Sequence, residues 1–367
     1  MILMALSGFV YLTILIFKPH RPFLEQDPED RKKAFELIRR YGSDSLSYFN
    51  IREDKNLFLQ PGGIFLAYRC VRGVAVISGD PVGPQELIPE MMGKFRKWCL
   101  ERGWRVASIG SKKEFTPFYE AAGFRCFCIG EEPVIHLDEF SLEGRKMRKL
   151  RHAVTKFQKM GATMEFMFNV SVPPHLRHEL AQIAAEWRGG LPETGFSMGL
   201  GRLLHSEDEN CLLAVAYDAD SRPMGFLYLV PMYPRLGYSL DTARTRKGIT
   251  NGLNEFMISS TALFLKERGY RYLSLHFCFF SHHYREDREE PGSALARALA
   301  RLLSYRLPVI SLYHFDKKFQ PHWNKRYVVY ESPVDLPRIA LASLDAESAF
   351  KLRRPKVTGR FIKDIWR

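Results

Sequence analysis

"LERGWRVASIG" (Leu100–Gly110) and "KERGYRYLSLH" (Lys266–His276) share one pattern: Glu-Arg-Gly-aromatic-Arg, then an apolar run with a serine at the same offset. A glycine at that point closes a helix, and the apolar run that follows reads as a buried strand. Two such junctions in one chain indicate a duplicated unit. The flanking sequence agrees. In the first half, "IFLAYRCV" (Ile64–Val71) and "VAVISGDPVG" (Val74–Gly83) surround Arg72-Gly73, a hairpin signal. "GPQELIPEMMGKFRKWCL" follows as a helix with Pro84 near its start. In the second half, "CLLAVAYD" (Cys211–Asp218) and "MGFLYLVPMY" (Met224–Tyr233) surround a polar Asp-Ser-Arg-Pro turn. "GYSLDTAR" adds a strand and "NGLNEFMISSTALFLKERG" (Asn251–Gly269) a helix.

Both halves therefore predict antiparallel strands, a loop, a helix and a parallel strand. Asp80 and Asp241 each fall just after a strand, on the approach to that helix. The fold class expected is α/β (α+β). The order resembles the acetyltransferase-like (GNAT) fold, present in tandem. In that fold the helix N-terminus faces an anionic ligand, because free N–H groups and the helix dipole attract negative charge.

The chain has 367 residues, 46% hydrophobic and 13% aromatic, enough for two domains with substantial cores. Its net charge of +13 favours polyanionic partners, nucleic acid or anionic lipid, and says little about fold. The six cysteines are scattered in apolar runs without zinc spacing and read as buried thiols of a reducing compartment. "MILMALSGFVYLTILIF" is uncharged and is followed by Lys18, His20 and Arg21. It lacks a basic start and a small-residue cleavage site, so a membrane helix with a cytoplasmic positive flank fits better than a signal peptide. The expected organisation is a transmembrane helix at 1–17, a first domain at 18–140 and a basic linking helix at 141–161. A second, catalytic domain at 162–345 and a basic tail at 346–367 complete it.

The linking segment "SLEGRKMRKLRHAVTKFQKMG" (Ser141–Gly161) has Met147, Leu150, Val154 and Phe157 at helical spacing. Arg145, Lys146, Arg148, Lys149, Arg151, Lys156 and Lys159 cover the other faces, and Ser141 is the expected N-cap. Such a helix suits phosphates, in RNA or at a membrane surface; a solvated linker is the bland alternative.

Chemistry concentrates in two segments. In "SLDTARTRKGITNGLNEF" (Ser239–Phe256), Asp241 can bind an ammonium or orient a hydroxyl, and Arg244 offers a planar fork for phosphate. Arg246 and Lys247 add positive charge before Asn251, Gly252 and Glu255. In "AEWRGGLPETGFSMGLGRL" (Ala185–Leu203), a helix ends at Glu186-Trp187-Arg188 and a glycine-rich loop leads to Phe196-Ser197-Met198. Loops of this kind line pockets. A structural Asp241–Arg244 ion pair and an ordinary loop with a core Trp remain the alternatives. The histidines show no metal spacing, and adjacent His282-His283 would point apart, so no metal is expected. No nucleophile elbow, Walker loop or dinucleotide loop is present.

Six segments in order resemble the phosphatidylglycerol lysyltransferases, the aminoacyl-lipid synthase domains of multiple peptide resistance factors, in their actinobacterial branch. They are "YGSDSLSYFNIREDKNLFL", "GDPVGP", "GEEPVIHLDEFSLEGRKMRKLRHA", "EWRGGLPETGFSMGLGRL", "GYSLDTAR…NGLNEF" and "SLYHFDKKFQPHWNKRYVVY". The resemblance covers roughly Arg40 to Leu341. It implies transfer of an aminoacyl group from aminoacyl-tRNA to phosphatidylglycerol at the inner leaflet of the cell membrane, with the catalytic domains cytoplasmic and no cofactor. It matches Asp241 and Arg244 to the family's Asp-x-x-Arg, Asn251-Gly252 to its Asn-Gly, and Glu186-Trp187-Arg188 to its central motif. Asp241, Arg244 and Glu186 are then the expected catalytic residues. Trp187, Arg188, Ser197, Ser239, Arg246, Lys247, Asn251, Gly252 and Glu255 are the expected substrate contacts. Thr242-Ala243 stand where the family usually has Leu-Met, and Thr250 where it has proline. Lysine fits an acidic pocket; alanine, arginine and ornithine stay open. Neither a multi-helix flippase portion nor an appended synthetase lies within the sequence, so flipping would fall to another protein. Two rivals stand beside this reading. One is an acyl-CoA-dependent N-acyltransferase, whose pyrophosphate loop fails at Gly248. The other is a non-enzymatic, membrane-tethered basic module that binds nucleic acid or lipid.

Overall fold

The structure is a computed structural model that describes residues 26–190, 195–197, 199–275, 277–279, 281 and 309–347. The apolar run at 1–17, Met198, His282-His283 and all but the first two residues of the 346–367 tail lie outside the described residues. No described helix is long and apolar enough to cross a membrane.

The first half opens with helix α1 (Pro28–Tyr41). Asp27 caps it by accepting from Glu29 N at 2.9 Å, Pro28 sits in the first turn, and Arg39 and Arg40 close it. Strands β1 (Asn56–Gln60), β2 (Ile64–Val71) and β3 (Val74–Ser78) follow, then α2 (Ile88–Leu100), β4 (Arg105–Lys112), α3 (Thr116–Ala121) and β5 (Arg125–His136). The hairpin at Arg72-Gly73 forms with both residues at positive φ, 52° and 70°, as a two-residue turn between twisted strands requires. The second half contains α4 (Arg148–Lys159), β6 (Thr163–Phe168), α5 (Pro174–Arg188), β7 (Leu212–Tyr217), β8 (Pro223–Met232), β9 (Gly237–Thr245) and α6 (Leu253–Glu267). It continues with β10 (Tyr272–Ser274), β11 (Cys278–Phe279), α7 (Val309–Asp316), β12 (His322–Tyr330) and α8 (Leu336–Ala346). The duplicated pattern holds in three dimensions. The strand after each Glu-Arg-Gly junction lies parallel to the strand before its helix, β4 against β3 and β10 against β9.

All of these strands form one mixed sheet, in the order β1-β2-β3-β4-β12-β5-β10-β9-β8-β7-β6, with β11 also paired to β5. The two halves interlock. Strand β12, from the end of the second half, lies between β4 and β5 of the first. Helix α8 covers Val74, Val76 and Ala107 of the first half with Ile339, Ala342 and Ala346. In return, Ala34 and Ile38 of α1 join the second half's core beside Leu180 and Ile183 of α5. On the opposite face, α4 and α6 pack together, with Phe157 and Phe256 stacked at 5.4 Å. Exchange of this kind leaves neither half with a complete core of its own.

Three local expectations need correction. Helix α4 begins at Arg148 with Met147 as its cap, and Ser141 does not cap it. Gly144, at φ 81°, turns the chain first, and Ser141 Oγ instead accepts from Glu143 N at 3.3 Å. Asp241 does not follow a strand, because β9 runs on to Thr245. Cys99, Cys211 and Cys278 are buried, but Cys70, Cys126 and Cys128 are only half-buried. The last two lie where β5 pairs with β12 alone.

Candidate active site

Asp241 occupies a β-bulge. Leu240 pairs with Leu229 and Thr242 pairs with Tyr228, so Asp241 is the extra residue between them. A bulge bends its strand and re-aims the side chains beside it. Here it turns Asp241, Thr242 and Arg244 together into a solvent-open cleft of about 350 Å³. The opposite wall comes from Ala184 of α5 and from Gly199, Gly201, Arg202 and Leu203 of the glycine-rich loop. Leu200 N donates to Asp241 Oδ1 at 2.6 Å. The Arg244 guanidinium lies over the Trp187 ring, 3.8 Å from its centre. Thr242 Oγ1 is buried without a hydrogen-bond partner among the described residues, which is costly unless something else supplies one.

The first half holds the loop that completes this cleft. Arg52 binds Asp54 with two parallel bonds of 2.9 Å and donates to Gly199 O at 2.6 Å. Its guanidinium passes so close to Gly201 that a Cβ there would meet it at 2.5 Å; Gly201 also has φ 66°, so glycine is required twice over. Further along, Arg202 grips Asp208 through two bonds of 2.8 Å, and Tyr48 OH donates to Asp208 Oδ1 at 3.0 Å.

Around the cleft, Arg246 lies 3.8 Å from Glu186 and 3.9 Å from Glu179, and it donates to Pro223 O at 2.8 Å. Glu186 is exposed and Arg188 half-buried at the end of α5. Lys247 is exposed beyond β9. Of the other expected contacts, Ser197 and Glu255 already have partners away from the cleft. Ser197 is fully buried and binds Glu347 Oε1 through its N and Oγ, at 2.9 and 3.0 Å. Glu255 pairs with Lys318 at 2.7 Å. Asn251 O accepts from Lys156 at 3.0 Å. Gly252, at φ 103°, starts α6 against α4, where a Cβ would lie 3.4 Å from Ala153 Cβ. Arg145 and Lys146 are exposed before α4, and Arg148 and Lys149 on it. Arg151, also exposed, is tied to Gly144 O at 3.1 Å.

Ser239 lines a second pocket, of about 300 Å³, with Ser45, Glu132, Ser274 and Arg326. Arg326 was missed in the sequence. It is 1% exposed and lies between Asp44, bound at 2.5 and 2.8 Å, and Glu132. The signal was an arginine inside the apolar alternation of "HWNKRYVVY". A buried guanidinium needs carboxylates, and its partners lie far away in sequence. The folding chain also assembles His136, Glu139 and His322, which no spacing rule picks out.

A duplicated α/β unit whose second copy carries a carboxylate, a guanidinium over an indole and a buried hydroxyl in one cleft defines a class of positively charged double-unit proteins with a polar site in the second unit. The chain belongs to the phosphatidylglycerol lysyltransferase C-terminal family, whose model matches residues 35–330. The resemblance carried by the six segments is therefore borne out. The chain is 33% identical over 358 residues to the lysylphosphatidylglycerol biosynthesis bifunctional protein LysX of Mycobacterium avium, spanning 95% of this chain and 30% of that protein. The LysX of Rhodococcus opacus is 33% identical over 346 residues, spanning 93% and 31%. The chain thus spans under a third of the length of these relatives. Among solved structures, L-PGS from Bacillus licheniformis is 24% identical, with 89% of this chain and 98% of that one covered at a TM-score of 0.77. A C-terminal DUF2156 domain from Agrobacterium fabrum is 22% identical, with the same coverage and a TM-score of 0.74. At these identities the two structures bear on the fold: a mixed α/β fold built on one large sheet.

Proposed function

We propose that the chain is an aminoacyltransferase built from two acetyltransferase-like units, moving lysine from aminoacyl-tRNA to a hydroxyl of phosphatidylglycerol at the inner membrane leaflet. The observation that carries this reading is the bulge that turns Asp241 and Arg244 into one cleft, at the positions matching the family's Asp-x-x-Arg. The lipid hydroxyl oxygen attacks the ester carbonyl carbon. The bond from that carbon to the ribose oxygen breaks, and the hydroxyl proton passes to the departing ribose oxygen. One ester replaces another, so positioning and charge stabilisation are the main demands. Asp241, held by Leu200 N–H, orients the incoming hydroxyl or the donor amine. Arg244, held against the Trp187 ring, binds phosphate, and Glu186 with Arg246 forms the charged rim. The exposed cations Arg145, Lys146, Arg148 and Lys149 supply salt-sensitive affinity for RNA and anionic headgroups.

The test is transfer of radiolabelled lysine from charged tRNA into phosphatidylglycerol vesicles by the purified chain. Labelled lipid is expected, and Asp241→Ala should lower its rate ~100-fold or more, the usual scale for a lost proton-handling group. Absence of labelled lipid with lysyl-, alanyl-, arginyl- and ornithyl-tRNA alike would overturn the reading.

A further inference from the structure

A separate pocket, about 820 Å³, opens where β5 ends and β12 begins, and it shares no lining residue with the Asp241 cleft. His322 pairs with Val134 across the two strands, so His136, two residues on, lies on the same face. The two imidazoles are stacked, with centres 3.8 Å apart and planes 16° from parallel. Glu139 serves both rings: Oε2 lies 2.8 Å from His322 Nε2 and Oε1 lies 3.6 Å from His136 Nδ1. One ligand atom from each of the three residues falls within 4.8 Å of the others. The Tyr272 ring meets His136 edge-on at 5.0 Å and is itself covered by Arg235 at 4.2 Å.

We propose that His136, Glu139 and His322 form a site for one divalent transition-metal ion, with Zn²⁺ the ion expected to bind. Two imidazole nitrogens and one carboxylate suit zinc and its neighbours, whereas Ca²⁺ and Mg²⁺ call for oxygen ligands throughout. The residues come from a strand end, the turn after it and a neighbouring strand, so the sheet fixes their approach. On binding, both nitrogens close to about 2.0–2.1 Å from the ion, which slides the rings out of their stack. Three protein ligands leave coordination open towards the pocket, whose exposed lining carries Glu143 as well as Arg145 and Lys146.

The experiment is calorimetric titration of the full chain, stripped of metal by chelator, with Zn²⁺, repeated with Co²⁺ while its visible spectrum is followed. One ion per chain is expected, with a cobalt spectrum free of thiolate charge-transfer bands. His136→Ala and His322→Ala should each weaken binding on the order of 100-fold, at least the loss seen when an outer-shell partner is removed. Glu139→Gln, which leaves both rings in place, should weaken it as well and serves if a histidine variant fails to fold. Absence of zinc binding, binding unchanged in the variants, or a cobalt–thiolate spectrum would each overturn the proposal.

Discussion

The Arg244 guanidinium lies over the indole of Trp187, 3.8 Å from the ring centre. One residue comes from the bulged strand β9 and the other from the last turn of α5. The stack therefore ties the strand that carries Asp241 to the helix that carries Glu186. It holds a cation at the edge of the cleft.

A lysine at position 244 keeps the charge but not the plane. Arg244→Lys is expected to raise KM for anionic substrate more than it lowers kcat, and Trp187→Leu to do the same more mildly. The cation–π contact is worth ~0.5–2 kcal/mol, or roughly 2- to 30-fold in affinity. Steady-state kinetics with vesicles of varied phosphatidylglycerol content measure both. Equal loss of kcat with KM unchanged would assign Arg244 to the reacting atoms instead.

Thr242 replaces a residue that is usually leucine in the family and puts a buried, unpartnered hydroxyl into the cleft wall. Thr242→Val has the same shape without the hydroxyl. Because an unsatisfied buried group costs ~1–3 kcal/mol, the variant should melt at the same or a higher temperature. If substrate supplies the missing partner, the same variant should lose roughly 5- to 30-fold in kcat/KM. A rise in stability with activity intact would show that the hydroxyl takes no part in substrate binding.

The duplicated strand–helix–strand order was legible because its signals are local: a glycine that ends a helix and an apolar run directly after it. Those strings placed β3 parallel to β4 and β9 parallel to β10. The bulge at Asp241 was not legible, since it depends on how β9 registers against β8. Nor was the exchange of β12 into the first half, because nothing inside "HWNKRYVVY" names its neighbours. The site residues split along the same line. Asp241, Arg244 and Trp187 carry local motifs and come together, whereas Arg52, Arg326 and His322 act on groups 147 to 282 residues away.

Asp80 holds the place in the first half that Asp241 holds in the second, yet it is buried rather than in a cleft. It accepts from Tyr119 OH at 2.8 Å and from Lys112 N at 3.0 Å. Burial, and then the Asp44 charge, raise its pKa from 3.8 to about 6. Between those values the folded chain holds a proton that the unfolded chain has released, so stability falls as pH rises through this window and levels off above it. The gap corresponds to roughly 3 kcal/mol at neutral pH. Asp80→Asn removes the titration and can keep both bonds if the Tyr119 hydroxyl turns to accept. Its melting temperature should gain on the parent between pH 4 and pH 7 and then run parallel. A difference that is flat across that range would sink the assignment.

Arg326 gives the last prediction. Burial alone would raise the Asp44 carboxyl, but Arg326 and Lys112 hold it well below the usual carboxylate range. The guanidinium on β12 thus fastens Asp44 of the first half to Glu132 of β5, in the strand that also borders β10. Arg326→Met fills the space with carbon, leaving buried Glu132 without the guanidinium and Asp44 with Lys112 alone at 3.7 Å, a loss of about 3–5 kcal/mol. At ~2–4 °C per kcal/mol, the melting temperature should fall by roughly 10 °C. Acid should partly rescue it. As pH drops from 7 towards 5, the stranded carboxyls take up protons and the deficit narrows, whereas loss of packing would not depend on pH. Adding Asp44→Asn and Glu132→Gln to Arg326→Met should recover stability at pH 7 and abolish the rescue. Because β12 lies between β4 and β5, the halves should still melt together in one transition. Two separate transitions would show that the Arg326 bridge, and not the placement of β12, couples the halves.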